Sequence, residues 1–221
     1  MNILVIGSAT SFQEVKTKFG AHHEYQWAVD HDQTTGKLSA ADCVFDFLLM
    51  DDPARQQLYA TGTQPVFVNS VNKMLAETIR PRGGPVFGFN GWPGCVERAL
   101  LEVSCFKPEE EPRLRAACEL LGTDYRLVDD RVGLVTPRVL AMIINEAYFT
   151  VQDGTASRAD IDRAMQLGTN YPHGPFAWCE RIGIAQVYRL LEDLYNDTHD
   201  ERYRVAPLLK KDYLKSQHQS A

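Results

Sequence analysis

The first residues able to do chemistry lie in the turn Gly7-Ser8-Ala9-Thr10-Ser11-Phe12, which follows the apolar run NILVI at 2–6. In a dinucleotide-binding turn of the form G-x-G-x-x-G, one glycine makes the tight turn and the next lets the backbone approach a pyrophosphate. The third lets helix and strand pack closely, and amides at the helix N-terminus hold the phosphate. Of the three glycines only Gly7 is present. Ala9 sets a methyl group where the phosphate would approach, and Phe12 sets a ring where close packing is wanted. Asp30 follows Gly7 by 23 residues, at the end of the next apolar run, where a carboxylate can grip a ribose. Gly7, Ala9 and Asp30 are therefore the cofactor-binding candidates. The plainer reading makes Gly7 a strand-end turn, Asp30 a surface carboxylate and Phe12 a core residue.

Other reactive side chains are scattered. The six histidines (22, 23, 31, 173, 199 and 218) show no H-x-x-x-H spacing and no Cys/His cluster, so no metal site is expected. There is no Walker motif and no nucleophile elbow. His173 sits between Pro172 and Gly174 without an evident partner and reads as a solvated turn histidine. Asp51 and Asp52 precede Pro53 and read as a helix cap. The five cysteines (43, 95, 105, 118 and 179) contain no C-x-x-C pair and suit reduced thiols, hence a cytoplasmic setting. The opening residues lack a basic segment and a long apolar stretch, so no secretory signal is expected. No run approaches the roughly 18 apolar residues of a membrane span. A net charge of −6 argues against nucleic acid as the main partner.

The elements that must position these groups divide into two kinds. Short apolar runs at 2–6, 24–29, 43–49, 64–68, 85–88, 100–105 and 125–128 read as strands. Between them lie short helical stretches, the first with Ser11 and Glu14 as a capping box, others at 53–59, 72–78 and 109–121. That alternation predicts an α/β domain with a largely parallel sheet over residues 1–129. After Asp129 the period becomes helical. Val139, Leu140, Ile143, Ile144, Ala147, Tyr148 and Val151 form an apolar stripe, and Ser157 with Asp160 forms a second capping box. Pro175 opens a further helix, and helices follow at 184–194 and 207–215, with 216–221 expected to fray. An all-α domain over 130–221 is expected.

The helical half carries the elements Asn145-Glu146-Ala147, Asp160 to Gly168 (DIDRAMQLG), Tyr171 to Phe176 (YPHGPF), Ile182-Gly183 and Asp200 to Leu209 (DERYRVAPLL). Physically, Asp160 complements a helix dipole, Gly168 ends that helix, Pro172 and Pro175 stiffen the turn, and Phe176 and Trp178 pack. In order and spacing, residues 130–211 resemble the C-terminal domain of the 3-hydroxyacyl-CoA dehydrogenases. The resemblance implies a shortened Rossmann-like, NAD-binding-like domain at 1–129, with the glycine motif on Gly7 to Phe12 and the acidic residue on Asp30. It also implies a place in fatty acid metabolism and a homodimer formed through the helical domain. The family's long helical excursion after the second strand, which helps cover coenzyme A, has only eleven residues of room here, between Asp30 and Asp42.

The resemblance also places the catalytic pair. The family's general base is a His held by a Glu twelve residues later. Glu102, in Leu101-Glu102-Val103, matches the Glu, and Asn90 stands at the His position. The family's next Asn falls on Pro93, another on Pro137 ahead of Arg138, and its Ser-Asn-Thr-Ser stretch on Asn69-Ser70-Val71-Asn72. Oxidising a 3-hydroxyl by hydride transfer needs a base for the hydroxyl proton, and an amide cannot be that base. The expectation is therefore a divergent family protein without the catalytic His and most of the glycine motif. It would bind an acyl-CoA-like ligand or serve assembly without catalysis, with NAD binding weakened or lost. The alternative is an NAD-dependent oxidoreductase acting on a 3-hydroxyacyl-CoA or a small 3-hydroxy acid.

Overall fold

The computed structural model describes residues 1–59, 62–78 and 84–219. The chain divides into two compact units, Met1–Val135 and Thr136–Ala221.

The first unit is a seven-stranded sheet. Its strands are β1 (Asn2–Ile6), β2 (Glu24–Ala28), β3 (Cys43–Asp46), β4 (Val66–Asn69), β5 (Val86–Phe89), β6 (Leu100–Cys105) and β7 (Asp124–Leu127), in the order β2-β1-β3-β4-β5-β6-β7. All pairs are parallel except β5 with β6. Helices α1 (Ala9–Phe19), α2 (His31–Leu38), α3 (Leu75–Thr78) and α4 (Glu111–Leu121) accompany it, with 3-10 turns at Gly20–His22, Pro53–Tyr59 and Pro108–Glu110. This is the mostly parallel, Rossmann-like α/β sheet that the strand–helix alternation predicts.

The strands read as nearly continuous apolar runs because both faces are covered. Ile3, Val5, Phe45, Phe67, Phe87, Phe89 and Val103 pack with Val15 and Phe19 of α1 and Leu114, Ala117 and Leu121 of α4. Leu4, Ile6, Val44, Val66, Val68 and Val86 alternate with them and pack on the other side with Leu49, Met50, Tyr59 and Leu75. A row of rings, Phe45 on Phe67 at 4.9 Å and Phe67 on Phe87 at 5.3 Å, locks neighbouring strands in register.

Some local expectations shift. The first helix starts before Ser11: Ser8 is its N-cap, accepting the Ser11 N–H at 3.1 Å, and Glu14 instead accepts the Gly94 N–H at 2.8 Å. A hydroxyl directly after the Gly7 turn reaches the helix amides first. Helix α2 was hidden in HDQTTGKL, which has no apolar period; Asp30 caps it.

The second unit consists of α5 (Thr136–Gln152), α6 (Arg158–Thr169), α7 (Pro175–Ile182), α8 (Ile184–Thr198) and α9 (Pro207–Gln219). Ser157 caps α6 as expected, its Oγ accepting the Asp160 N–H at 3.2 Å and donating to Asp160 Oδ2 at 2.6 Å, and Asn170 and His199 end α6 and α8 in left-handed conformations. Asn145 ties α5 to the segment before α9, donating to Arg204 O and accepting from Ala206 N–H, both at 2.9 Å. Val139, expected on the inner stripe, is 52% exposed. The last helix continues to Gln219 rather than fraying at Ser216, and residues 220–221 lie outside the described residues.

Candidate functional site

The five parallel strands β1 to β5 end on one edge, and antiparallel β6 begins there, with Phe89 opposite Val103. The chain leaves β1 for β2 on one side and returns to β3 on the other, so the winding reverses between β1 and β3. In open α/β sheets such a point opens a crevice for ligands at the carboxyl ends of the strands. The topology brings Gly7, Ser8, Asp30, Asp46, Asn69, Asn90 and Glu102 to this edge.

At β1 the chain must pass close to β3. A Cβ on Gly7 would lie 3.1 Å from the Phe47 Cβ, so a larger residue there would force the strand ends apart. Gly7 O accepts the Trp27 indole N–H at 2.9 Å. Ala9 is the first residue of α1 and is exposed, its methyl group beside the helix N-terminus. Phe12 lies a turn further along, half-buried, stacked on Trp27 at 5.7 Å and edge-on to Tyr25 at 6.5 Å. It packs on β2 beside the turn, against the ring whose N–H is bonded to Gly7 O. Asp30 is exposed, and its two oxygens accept the Gln33 N–H at 2.8 Å and Gln33 Nε2 at 3.1 Å. A carboxylate has about four lone-pair sites, so a cap leaves room for further donors.

Asn90 and Glu102 face each other across β5 and β6. Asn90 is 3% exposed and Glu102 9%, so both carry out their bonding away from bulk water. Asn90 Nδ2 donates to Glu102 Oε2 at 3.4 Å, and Asn90 Oδ1 accepts the Trp92 N–H at 3.2 Å. Glu102 Oε1 accepts the Val135 N–H at 2.5 Å. Nearby, Asn69 Oδ1 accepts the Gly91 N–H at 3.1 Å. Cys95 is pushed up to about 11 by burial, so its thiol stays protonated at neutral pH. Below this pair, Ser70 and Ser104 crowd Gly88 so closely that a Cβ there would run into both hydroxyls.

Sequence reasoning missed a third group. Asp46 is fully buried at the end of β3 and accepts the Tyr59 hydroxyl at 2.6 Å and the amides of Leu48 and Leu49 at 2.8 and 2.9 Å. Burial pushes its carboxyl above the ordinary range, against the opposing pull of Tyr59, those amides and Arg55. Arg55 is 7% exposed, its Nε stands 3.8 Å from Asp52 Oδ2, and its buried Nη1 has no hydrogen-bond partner among the described residues. A buried cation with an unpaired donor suits an anionic oxygen. The signal was a single carboxylate inside the apolar run CVFDFLL.

His173 is half-buried and edge-on to Trp178 at 4.9 Å, so it packs rather than lying in solvent. Pro93 lies in the turn after Asn90. Pro137 is buried in the first turn of α5, where its missing N–H costs nothing, and Arg138 donates to the Tyr203 hydroxyl at 2.7 Å. Among the described residues no group of three His, Cys, Asp or Glu side chains could hold a metal ion. No helix among them is long and apolar enough to cross a membrane.

A reversing α/β sheet with a helix N-terminus and an acidic residue at neighbouring strand ends defines a nucleotide-binding class of architecture. Residues 133–220 match the family described as "3-hydroxyacyl-CoA dehydrogenase, C-terminal domain". The chain is 46% identical over 90 residues to the 3-hydroxyadipyl-CoA dehydrogenase of Escherichia coli, covering 41% of this chain and 19% of that protein. It is 31% identical over 169 residues to a 3-hydroxybutyryl-CoA dehydrogenase of Clostridioides difficile, covering 75% and 58%. In fold it superposes on FadB2 of M. tuberculosis with a TM-score of 0.76 at 18% identity, over 97% of this chain and 94% of that one. The (S)-3-hydroxybutyryl-CoA dehydrogenase PaaH1 of Ralstonia eutropha gives 0.71 at 22%, over 97% and 94%. The chain belongs to the 3-hydroxyacyl-CoA dehydrogenase family.

Proposed function

We propose that the protein binds a nicotinamide dinucleotide together with a 3-hydroxyacyl-CoA or a small 3-hydroxy acid, and acts on that hydroxyl as an NAD-dependent oxidoreductase. The observation that carries this reading is the edge itself: the start of α1 at Ser8 and the Asp30 carboxylate flank the point where the sheet order reverses. The residues fit the cofactor. Phe12 packs against Trp27, and the exposed Ser8 hydroxyl and Asp30 carboxylate suit a phosphate and a ribose. The substrate class comes from the relatives' names.

When bound, the dinucleotide supplies the hydride acceptor. The chain's own part is to orient the hydroxyl. Asn90 cannot take its proton, but Nδ2 can donate to the substrate oxygen, and Glu102 holds that amide from the far side at 3.4 Å. An amide does not relay a proton, so the hydroxyl proton passes to solvent water. The reading includes a homodimer through the helical unit, supported by α6, which has no fully buried residue although Ile161, Met165 and Leu167 lie along it. It also includes a cytoplasmic setting, supported by five free thiols.

One observation favours a second reading, in which the protein binds this ligand set, or serves assembly, without turning it over. Both ends of the buried Asn90 amide are already engaged, by Trp92 and Glu102. The experiment is to mix the protein with NAD⁺ and 3-hydroxybutyryl-CoA and follow NADH absorbance, with NADH binding measured by fluorescence. Binding with turnover supports the oxidoreductase, binding without turnover supports the second reading, and no binding removes the cofactor from both.

A further inference from the structure

The segment 130–135 runs over the ligand edge of the sheet and ends one residue before α5. It is pinned at three points. The Asp130 carboxylate accepts the amides of Leu75 and Ala76 at 2.8 and 3.1 Å, capping α3. The Gly133 N–H donates to Val71 O at 2.7 Å, and the Val135 N–H donates to Glu102 Oε1 at 2.5 Å. Val132 and Leu134 are buried beneath it, and Leu134 is held at φ +45°, a left-handed conformation that a γ-branched side chain adopts only when its surroundings impose it. The third pin is unlike the other two. Its acceptor belongs to a carboxylate whose second oxygen contacts Asn90, so one side chain connects the ligand edge to the last residue of the strap.

We propose that Glu102 is a positioning residue that transmits the state of Asn90 to this strap. While Nδ2 of Asn90 donates to Oε2, the carboxylate is fixed at both oxygens and holds Val135. When the amide turns to another acceptor, the carboxylate loses one fixed point and the Val135 hydrogen bond opens more often. The residue leading into α5 is then released by an event at the edge of the sheet. This goes beyond the proposed function, since it concerns the chain without ligand and stands or falls separately from cofactor binding.

Amide hydrogen exchange on the full chain tests it, read at Val135, Gly133, Ile6 and Val44. Glu102→Ala is expected to raise Val135 exchange by about tenfold or more, the loss of one charge-assisted hydrogen bond. Glu102→Gln, which keeps an acceptor oxygen, is expected to stay within about threefold of wild type. Asn90→Ala, which leaves Glu102 in place, is expected to raise Val135 exchange while Ile6 and Val44 stay protected. Should Glu102→Ala not fold, Asn90→Ala and Glu102→Gln decide the matter alone. Unchanged Val135 exchange in Asn90→Ala, or an equal rise at Ile6, Val44 and Val135, would overturn the proposal.

Discussion

Asn90 and Glu102 are cross-strand neighbours joined twice: the Asn90 backbone N–H donates to Glu102 O at 3.0 Å, and its side-chain Nδ2 to Glu102 Oε2 at 3.4 Å. The first bond continues the β5–β6 ladder and fixes where the side chains meet. The second is long, and it sets an amide, rather than an ionisable ring, between the carboxylate and the ligand edge.

Asn90→His tests what that amide costs in turnover. An imidazole beside Glu102 can take and return a proton near neutral pH, and positioned acid–base groups contribute roughly 10²-fold or more. The substitution is expected to raise turnover of 3-hydroxybutyryl-CoA by about 10²-fold without a second change. Steady-state kcat for the two proteins checks it.

Asp46 gives a prediction in pH. Its carboxyl is raised by burial, so the folded state holds its proton more tightly than the unfolded chain does. Such a group favours the fold most at low pH, and the advantage declines as pH rises from the unfolded value through the raised folded one. Asp46→Asn, neutral throughout, is expected to gain on wild type across that window in denaturant melts. Asp46→Ala is expected to cost about 2–4 kcal/mol, because the Leu48 and Leu49 amides and the Tyr59 hydroxyl lose their acceptor.

The buried serines beneath the site predict opposite signs for two small changes. Ser104 Oγ is buried without a hydrogen-bond partner among the described residues, so Ser104→Ala is expected to stabilise by up to about 1 kcal/mol. Gly88→Ala would drive a methyl group into Ser70 and Ser104 and is expected to cost about 1–3 kcal/mol. Urea midpoints at constant slope separate the two.

In the helical unit, Asn145 satisfies one backbone carbonyl and one backbone amide ahead of α9. Asn145→Ala strands both and is expected to destabilise that unit by about 2–3 kcal/mol, seen as an earlier loss of helical signal on heating.

Much of this was legible in the residues. Two-face burial makes β1 and β3 read as unbroken apolar runs, and Ser157, followed three residues later by Asp160, marks the start of α6 as its N-cap. The start of α1 was not, because Ser8 and Ser11 are both plausible caps and only the position of the β1 end chooses between them. Helix α2 escaped because it is held by the Asp30 cap rather than by an apolar face. At the site, the family resemblance marked the positions Asn90 and Glu102, while their hydrogen bond comes from the β5–β6 register and was not expected. The Asp46–Tyr59–Arg55 group did not, since it depends on a 3-10 turn folding back over β3. That Asp30 caps α2, and that Phe12 stacks on the Trp27 ring, are tertiary facts that no spacing rule contains.

The proposed nicotinamide dinucleotide at the carboxyl ends of β1 and β2 is tested most directly by NADH fluorescence titration of wild type beside Asp30→Ala. Saturable binding to wild type, weakened about tenfold or more in the variant, is the predicted result. No saturable binding to the wild-type protein, or equal affinity in the two, would contradict it.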